Sequence, residues 1–543
     1  MKIDQSAFDA VFDSVNRSDA PGVIVGVAQH GNLLYRRGFG LASIEHGVSN
    51  TPSTRMRIGS TSKHFTCLAA LLLQEEGKLD IDASVRVYIP ELPMLQGEPS
   101  LRQLMTHSSG YRCFLDLGFL ANGMAMVPNG GALAAQIRQT DVNFEPGTRM
   151  LYCNGGYHLL SEVIQRVSGE PFEQVLQGRI FEPLGMIDTQ SIPSDMQIHP
   201  RVATLHIKLP DGSYRRGIFP TEENRGEGAM VSTVDDMLRW LAHLRGPKLV
   251  GQESTWREML GLAQLEGCPP SAYAMGLFRH FYRGVEVIHH PGSVLGGNSQ
   301  MLTIPAHALD IIIMGNGAAA KPAELAYKVV DLLLAPVLAP CMTLAATDRF
   351  SHLVGRYYHA HRAGFLIGFE DLAGKLGISL MNEPAVTIPE HGEHLRLGFE
   401  DAGAGPISLS ISELQGAAEG DVPGTLRISE TGHVETFERV AVDQAVPGEA
   451  ERALAGRYRA ADLDADARIA CSADEFDLKV FGAVGTAHMS LQRISDSVYG
   501  LKMLDPTLPL FGVLTVDREG SHIAGFRIST VRTRNLRFTR IDN

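Results

Sequence analysis

Within the first 335 residues of this chain, strand patterns stand only near the two ends, and the long stretch between them is patterned for helices. Residues 23–28 and 33–37 flank a turn at Gln29-His30-Gly31-Asn32 and read as a hairpin. Strand composition returns at residues 285–288, 301–304 and 310–314, ahead of a helix over about residues 323–334. A chain patterned in this way can bury its strands by pairing its two ends, which predicts one antiparallel sheet flanked by helices in an α+β domain. Phe8, Val11, Phe12 and Val15 recur at helical spacing and predict an amphipathic helix before the hairpin.

At 543 residues the chain is too long for one core. A Pro- and Ala-rich connector at residues 335–340 marks a boundary, beyond which short alternating strands are interrupted by Gly, Asp and Pro. Gly355-Arg356-Tyr357 and Gly456-Arg457-Tyr458 each open a segment of similar length. The expected plan is a catalytic domain over residues 1–335, a linker over 336–349, and two antiparallel β-barrel domains over 350–445 and 450–543. Such a mixed plan places the whole chain in the α/β class, with an α+β first domain.

The helical middle opens on a serine and a lysine. Ser60 stands three residues before Lys63, at the head of an apolar run through Leu73, and no other lysine has a serine at that offset. On a helix the two side chains share a face. A lysine desolvated among apolar side chains can lose its proton near neutral pH and accept one from a serine hydroxyl, so the pair is a candidate nucleophile and base. Tyr152-Cys153-Asn154 is the only Tyr-x-Asn in the chain and His290-Pro291-Gly292 the only His-x-Gly. They follow the Ser-Lys pair in the order S-x-x-K, Y-x-N, H-x-G. In acyl transfer Ser60 would attack the carbonyl, Lys63 would take its proton, Tyr152 would relay it to the departing amine, and Asn154 would hold Lys63 or the substrate amide. The bland alternatives are that Tyr152 and Asn154 end a strand or cap a helix over about residues 159–167, and that His290 is a satisfied histidine beside a turn.

Composition excludes other classes. With 61 acidic and 48 basic residues the net charge is −13, which disfavours nucleic acid or an anionic membrane as partner. No stretch is long and apolar enough to span a bilayer, and the N-terminus does not read as a secretory signal. Six scattered cysteines without a C-x-x-C pair fit free thiols in the cytoplasm. Residues 462–466 imitate the start of a calcium loop, but Ala467 and Ala473 replace the required glycine and glutamate, so the stretch reads as a solvated turn. His359-Ala360-His361 and His289-His290 lack the carboxylate context of a metal centre. Neither metal nor cofactor is expected.

Around these motifs the chain resembles the serine β-lactamase and penicillin-binding protein superfamily. The resemblance runs through Gly59 to Lys63, Leu104-Met105-Thr106-His107-Ser108-Ser109-Gly110, Phe144-Glu145-Pro146-Gly147, Tyr152 to Tyr157 and Pro183-Leu184-Gly185-Met186. With its two trailing β segments the whole chain is most similar to the bacterial D-aminopeptidases. That resemblance implies a homodimeric serine hydrolase, with peptides, amides and esters bearing a free N-terminal D-residue as substrates. It carries over Ser60, Lys63, Tyr152 and His290 as catalytic, with Asn154 and Gly292 in substrate binding. It also implies a loop of the last β domain in the active site, matched here by Leu501, Lys502, Met503, Leu504, Asp505, Pro506, Thr507, Leu508, Pro509 and Leu510, with Asp505 binding the substrate. His290 is largely neutral at pH 7 where most relatives carry a lysine suited to a carboxylate. An aminopeptidase instead has an ammonium to hold, and the Asp505 carboxylate would supply that contact. The rival readings are a D-specific esterase or amidase, a β-lactamase-like hydrolase, or a non-catalytic protein that binds peptidoglycan fragments.

Overall fold

A computed structural model describes residues 5–317, 320–359, 364–391, 394–397, 409–413, 424–430, 433–441, 448–472 and 476–541. Ala360 and His361 of the His-Ala-His stretch, and Ala473, lie outside the described residues. The predicted sheet is present, and both ends of the first domain build it. Strands β1 (Val23–Gln29) and β2 (Asn32–Phe39) form the hairpin, and β3 (Phe278–Tyr282), β4 (Val285–Val294), β5 (Gly297–Ile304) and β6 (Leu309–Gly315) complete a six-stranded sheet in the order β3-β4-β5-β6-β1-β2. The closing contact is β1 against β6, antiparallel, with Val23 opposite Gly315 and Gln29 opposite Leu309. The sequence does not single out β3, on which Phe278 is buried, Phe281 is exposed and the other three residues are only partly buried.

β1 and β6 are buried on both faces, and for that reason they read as continuous apolar runs rather than alternating ones. Ile24, Ile312 and Met314 point into a core shared with helix α2 (Lys63–Glu75), whereas Val23, Val25, Val27, Ile311 and Ile313 meet Phe8 of helix α1 (Gln5–Val11) and the helix that ends the domain at Pro322–Leu334. The apolar run after Ser60 is therefore a central helix. Nearly every side chain from Lys63 to Leu73 is buried.

Beyond the connector the two β segments differ. Among the described residues the first is a nine-stranded antiparallel sheet. Its two edge strands, Val386–Thr387 and Glu390–His391, are neighbours in sequence, so the sheet curls until its edges approach. The second closes fully as an eight-stranded antiparallel barrel, its first strand pairing its last with Tyr458 opposite Arg540. The repeated Gly-Arg-Tyr begins the first strand of each sheet, and both Tyr357 and Tyr458 are fully buried.

The stretch 462–466 departs from the solvated turn expected of it. Asp462 is buried and pairs with the buried Arg112 guanidinium of the catalytic domain, while its other oxygen accepts from Thr140 N at 3.0 Å. Arg112 also donates to the backbone oxygen of Arg534 at 3.2 Å, so this pair bolts the barrel onto the catalytic domain. The sequence could not show this, because the partner lies 350 residues away. Removing Asp462 takes away the buried partner of Arg112 and leaves its guanidinium only the exposed Asp141 carboxylate, at 3.5 Å. Asp462→Ala should lower the stability to urea by about 3–5 kcal/mol and lower activity with it, as the barrel undocks.

Candidate active site

Ser60 lies in a 3-10 turn, Gly59–Ser62, that runs directly into α2. Three residues per turn eclipse positions i and i+3 more closely than an α-helix would, which stacks Lys63 against Ser60. Gly59 has φ +52°, and a Cβ there would sit 2.8 Å from Ser293 N, so only glycine lets this turn press against β4. Ser299 Oγ donates to Ile58 O at 2.8 Å, and Thr61 Oγ1 donates to His290 O at 3.0 Å. These bonds fix the serine relative to the sheet.

Lys63 is fully buried and its Nζ lies 3.0 Å from Ser60 Oγ. It donates to Asn154 Oδ1 at 2.7 Å and to Glu227 O at 2.6 Å. Burial pulls its pKa from 10.5 down to about 7, against an upward pull from the Glu227 carboxylate and with help from the Arg532 guanidinium. A neutral amine has two N–H groups, and these two oxygens accept both. Its lone pair then faces the serine hydroxyl.

Tyr152 and Asn154 bracket the start of helix α3 (Asn154–Ser168). Lys63 Nζ is 4.9 Å from the Tyr152 ring centroid. Burial raises the pKa of Tyr152, with Ser60 pulling against that rise, so the side chain is a neutral phenol at neutral pH. Its hydroxyl is buried without a full hydrogen bond and is free to relay a proton.

His290 is buried on β4, with Nδ1 2.6 Å from Pro291 O and Nε2 3.1 Å from the Tyr273 hydroxyl. A carbonyl can only accept, so Nδ1 carries the proton and Nε2 accepts from Tyr273. The hydroxyl of Tyr273 in turn lies 3.1 Å from His107 Nε2, and His107 Nδ1 accepts from Cys153 N at 3.0 Å. This orders a chain of neutral donors from His107 through Tyr273 to His290. Burial holds the His290 pKa down to about 3 and puts that of His107 well below its ordinary value. Gly292 is required for close packing, since a Cβ there would meet Ile58 O at 1.9 Å.

These residues border a cavity of about 380 Å³. Ser60, Tyr152, Asn154, Asn224 and Ser293 line it on the catalytic side. Leu508, Pro509, Leu510, Phe511, Thr530, Val531 and Arg532 of the barrel roof it, and Leu380 and Glu383 enter from the nine-stranded sheet. The structure thus brings together Ser60, Lys63, Tyr152 and Asn154, sets His290 and Gly292 behind them, and brings Leu508 to Leu510 into the cavity wall. Asp505 is placed otherwise. Its Oδ1 accepts from Thr507 N at 2.8 Å and Thr507 Oγ1 at 2.6 Å, the ordinary behaviour of an Asp-Pro turn. Leu501 to Leu504, Pro506 and Thr507 do not line the cavity either. The carboxylates that do are Asp116, Glu227 and Glu383.

Sequence reasoning gave no role to Tyr273, Glu227, Glu383 or Arg532. His107 stood in one of the quoted matching stretches, and that stretch was the available signal. Among the described residues one group could hold a divalent cation: His158, Glu162 and Glu223, whose ligand atoms lie within 4.8 Å of one another. Burial lowers the His158 pKa, but Glu227, Glu223 and Glu162 together outweigh burial and raise it, and Arg225 already pairs with Glu162 at 2.7 Å. The imidazolium and this guanidinium are the cations the chain itself supplies there.

The Beta-lactamase family model matches residues 8–335. Over its whole length the chain is similar to the D-aminopeptidase of Gluconobacter oxydans, at 26% identity with 97% of each chain covered. It is as similar to the D-aminopeptidase of Cereibacter sphaeroides, at 26% identity with 100% of both covered. Among solved structures, the octameric penicillin-binding protein homologue from Pyrococcus abyssi aligns with a TM-score of 0.56 at 17% identity, covering 99% of this chain and 100% of that one. A penicillin binding protein from Bacillus halodurans aligns with a TM-score of 0.52 at 22% identity, covering 62% of this chain and 100% of that one. At these identities the structural likeness is one of fold.

Proposed function

The chain belongs to the beta-lactamase family, and from that premise we propose that it is a serine aminopeptidase releasing N-terminal D-residues from small peptides, amides and esters through an acyl-enzyme. The observation that carries the serine chemistry is Lys63, with a pKa of about 7 and its Nζ 3.0 Å from Ser60 Oγ. Neutral Lys63 takes the Ser60 proton as Oγ attacks the carbonyl carbon. The backbone N–H groups of Ser60 and of Ser293, which is brought beside Gly59, are the candidate donors to the developing oxyanion. Tyr152, a neutral phenol, relays the proton from Lys63 to the departing amine. Water then enters, loses its proton to Lys63, and hydrolyses the ester on Ser60.

Support for the D-residue comes from the relatives similar to this chain over nearly all its length, which are named for that activity. Support for a free amine comes from the cavity, which is roofed and carries Glu383 on its wall, a carboxylate suited to a substrate ammonium. The assay is D-alanine p-nitroanilide against its L-enantiomer and against N-acetyl-D-alanine p-nitroanilide. The expected result is turnover of the first at least tenfold above either control, and equal turnover of acetylated and free substrate would reject the aminopeptidase in favour of a plain amidase or esterase. Glu383→Gln should narrow the gap between free and acetylated substrates about tenfold. Asp505→Ala should leave that gap in place, because its carboxylate is held by Thr507.

The reading extends to a cytoplasmic homodimer. Its support is the resemblance to the bacterial D-aminopeptidases and six cysteines that all stand as free thiols. Light scattering on the purified chain tests the dimer, and a monomeric mass at working concentration would remove it.

A further inference from the structure

Arg532 is the feature of the cavity that the catalytic scheme leaves unused. It sits on the turn joining the last two barrel strands, His522–Ser529 and Leu536–Arg540. That turn is fastened from both sides. Thr530 Oγ1 accepts from Arg532 N at 3.3 Å and Thr533 N at 3.0 Å, while Asn143 of the catalytic domain donates to Arg532 O at 3.2 Å and accepts from Arg534 N at 2.8 Å. The side chain reaches the catalytic centre, with its guanidinium carbon 5.6 Å from the Tyr152 ring centroid, and it lines the same cavity as Ser60. Among the described residues no hydrogen bond or ion pair uses its five donors. Asp116 and Glu383 act on it as charges without pairing with it, and Asp116 already accepts from Thr530 Oγ1 at 2.5 Å. A guanidinium carried on a backbone-fastened turn, lining the cavity with open donors, has the geometry of a carboxylate receptor.

The catalytic scheme offers no other cation for that purpose. Lys63 is occupied as base, and His290 is neutral with both ring nitrogens engaged. Along a substrate, the carboxylate one residue beyond the scissile carbonyl lies about 3.6 Å further along an extended chain, and Tyr152, which lines the cavity with Ser60, also lies beneath the Arg532 guanidinium. We propose that Arg532 binds the free α-carboxylate of the residue leaving the scissile bond, so that the preferred substrates are D-residue dipeptides with a free C-terminus rather than their amides or longer peptides. The corner of Asp116, Glu383 and Arg532 then presents both signs of charge to a zwitterion. The cavity volume of about 380 Å³ suits a ligand of that size.

This inference rests on the aminopeptidase reading for its chemistry, and the test separates the two. Wild type, Arg532→Gln and Arg532→Lys are compared on D-alanyl-D-alanine and D-alanyl-D-alanine amide, with D-alanine p-nitroanilide as the neutral reference. Wild type should favour the free acid over the amide at least tenfold in kcat/KM, chiefly through KM. Arg532→Gln should bring that ratio close to one, and Arg532→Lys should keep part of it. Calorimetric binding of the same two dipeptides to Ser60→Ala, and to Ser60→Ala combined with Arg532→Gln, reads the contact without catalysis. If wild type turns over no p-nitroanilide, the aminopeptidase reading fails, whereas tighter binding of the acid that is lost with Arg532 still upholds the carboxylate site. Equal handling of acid and amide by wild type, or a preference that survives in Arg532→Gln, would overturn it and leave Arg532 as a counter-charge to Asp116 and Glu383.

Discussion

Ser60→Ala should lose kcat on D-alanine p-nitroanilide by at least about a thousandfold and should form no covalent adduct detectable by mass spectrometry. The size of the effect follows from how the neighbouring hydroxyls are used. Thr61 Oγ1 donates to His290 O at 3.0 Å and Ser62 Oγ donates to Gly59 O at 2.6 Å, so neither can turn to replace the lost nucleophile. Both are also buried, whereas Ser60 is half-exposed and lines the cavity. The variant should fold normally, because the 3-10 turn is held by Thr61, Ser62 and Ser299 rather than by Ser60. A Ser60→Ala protein that keeps a tenth of wild-type turnover would show that the reaction runs elsewhere.

The core of this site was legible because its residues are local motifs with a spacing that geometry can use. Ser60 and Lys63 are three apart, and Tyr152 and Asn154 flank a helix start, so each pair is positioned by one element. The sheet was legible for a similar reason: β1 and β6 are long β-branched runs that can be buried on both faces only by pairing across the domain. What escaped was set by contacts between distant segments. The role given to Asp505 required knowing which side of a hairpin loop faces the catalytic domain, and the short reach from Asp505 to Thr507 N decides that locally. Arg532 was one arginine among many until Asn143 fastened its turn over Tyr152. Asp462 looked like a solvated acid because its partner, Arg112, belongs to another domain. Closure of the last segment as a barrel, and the curled open sheet of the one before it, likewise depend on strand pairing that alternation alone leaves unspecified.

Activity should fall on the acid side of pH 7 with a slope of one in log kcat/KM, because the base must be neutral Lys63 and its pKa is about 7. The two histidines behind the serine, His290 and His107, do not account for such a limb. Burial holds the pKa of His290 down to about 3 and puts that of His107 well below its ordinary value. Lys63→Arg should lose kcat by about a thousandfold or more, since a guanidinium keeps its proton throughout the working range and cannot serve as base. Lys63→Ala should fail as badly for want of any base. Asn154→Asp supplies the sharper test. Asn154 Oδ1 is 2.7 Å from Nζ, and a carboxylate there would favour the ammonium, so the acid limb should move above pH 7 while the fold persists. Stability should carry the matching sign. The folded pKa of Lys63 lies below its ordinary 10.5, so the unfolded chain binds more protons between about pH 7 and 10.5. The contribution of Lys63 therefore makes the fold more stable as pH rises through that window, and below pH 7 the cost of burying its charge is felt in full. An acid limb that stays in place in Asn154→Asp would assign it to another group and remove Lys63 from the role of base.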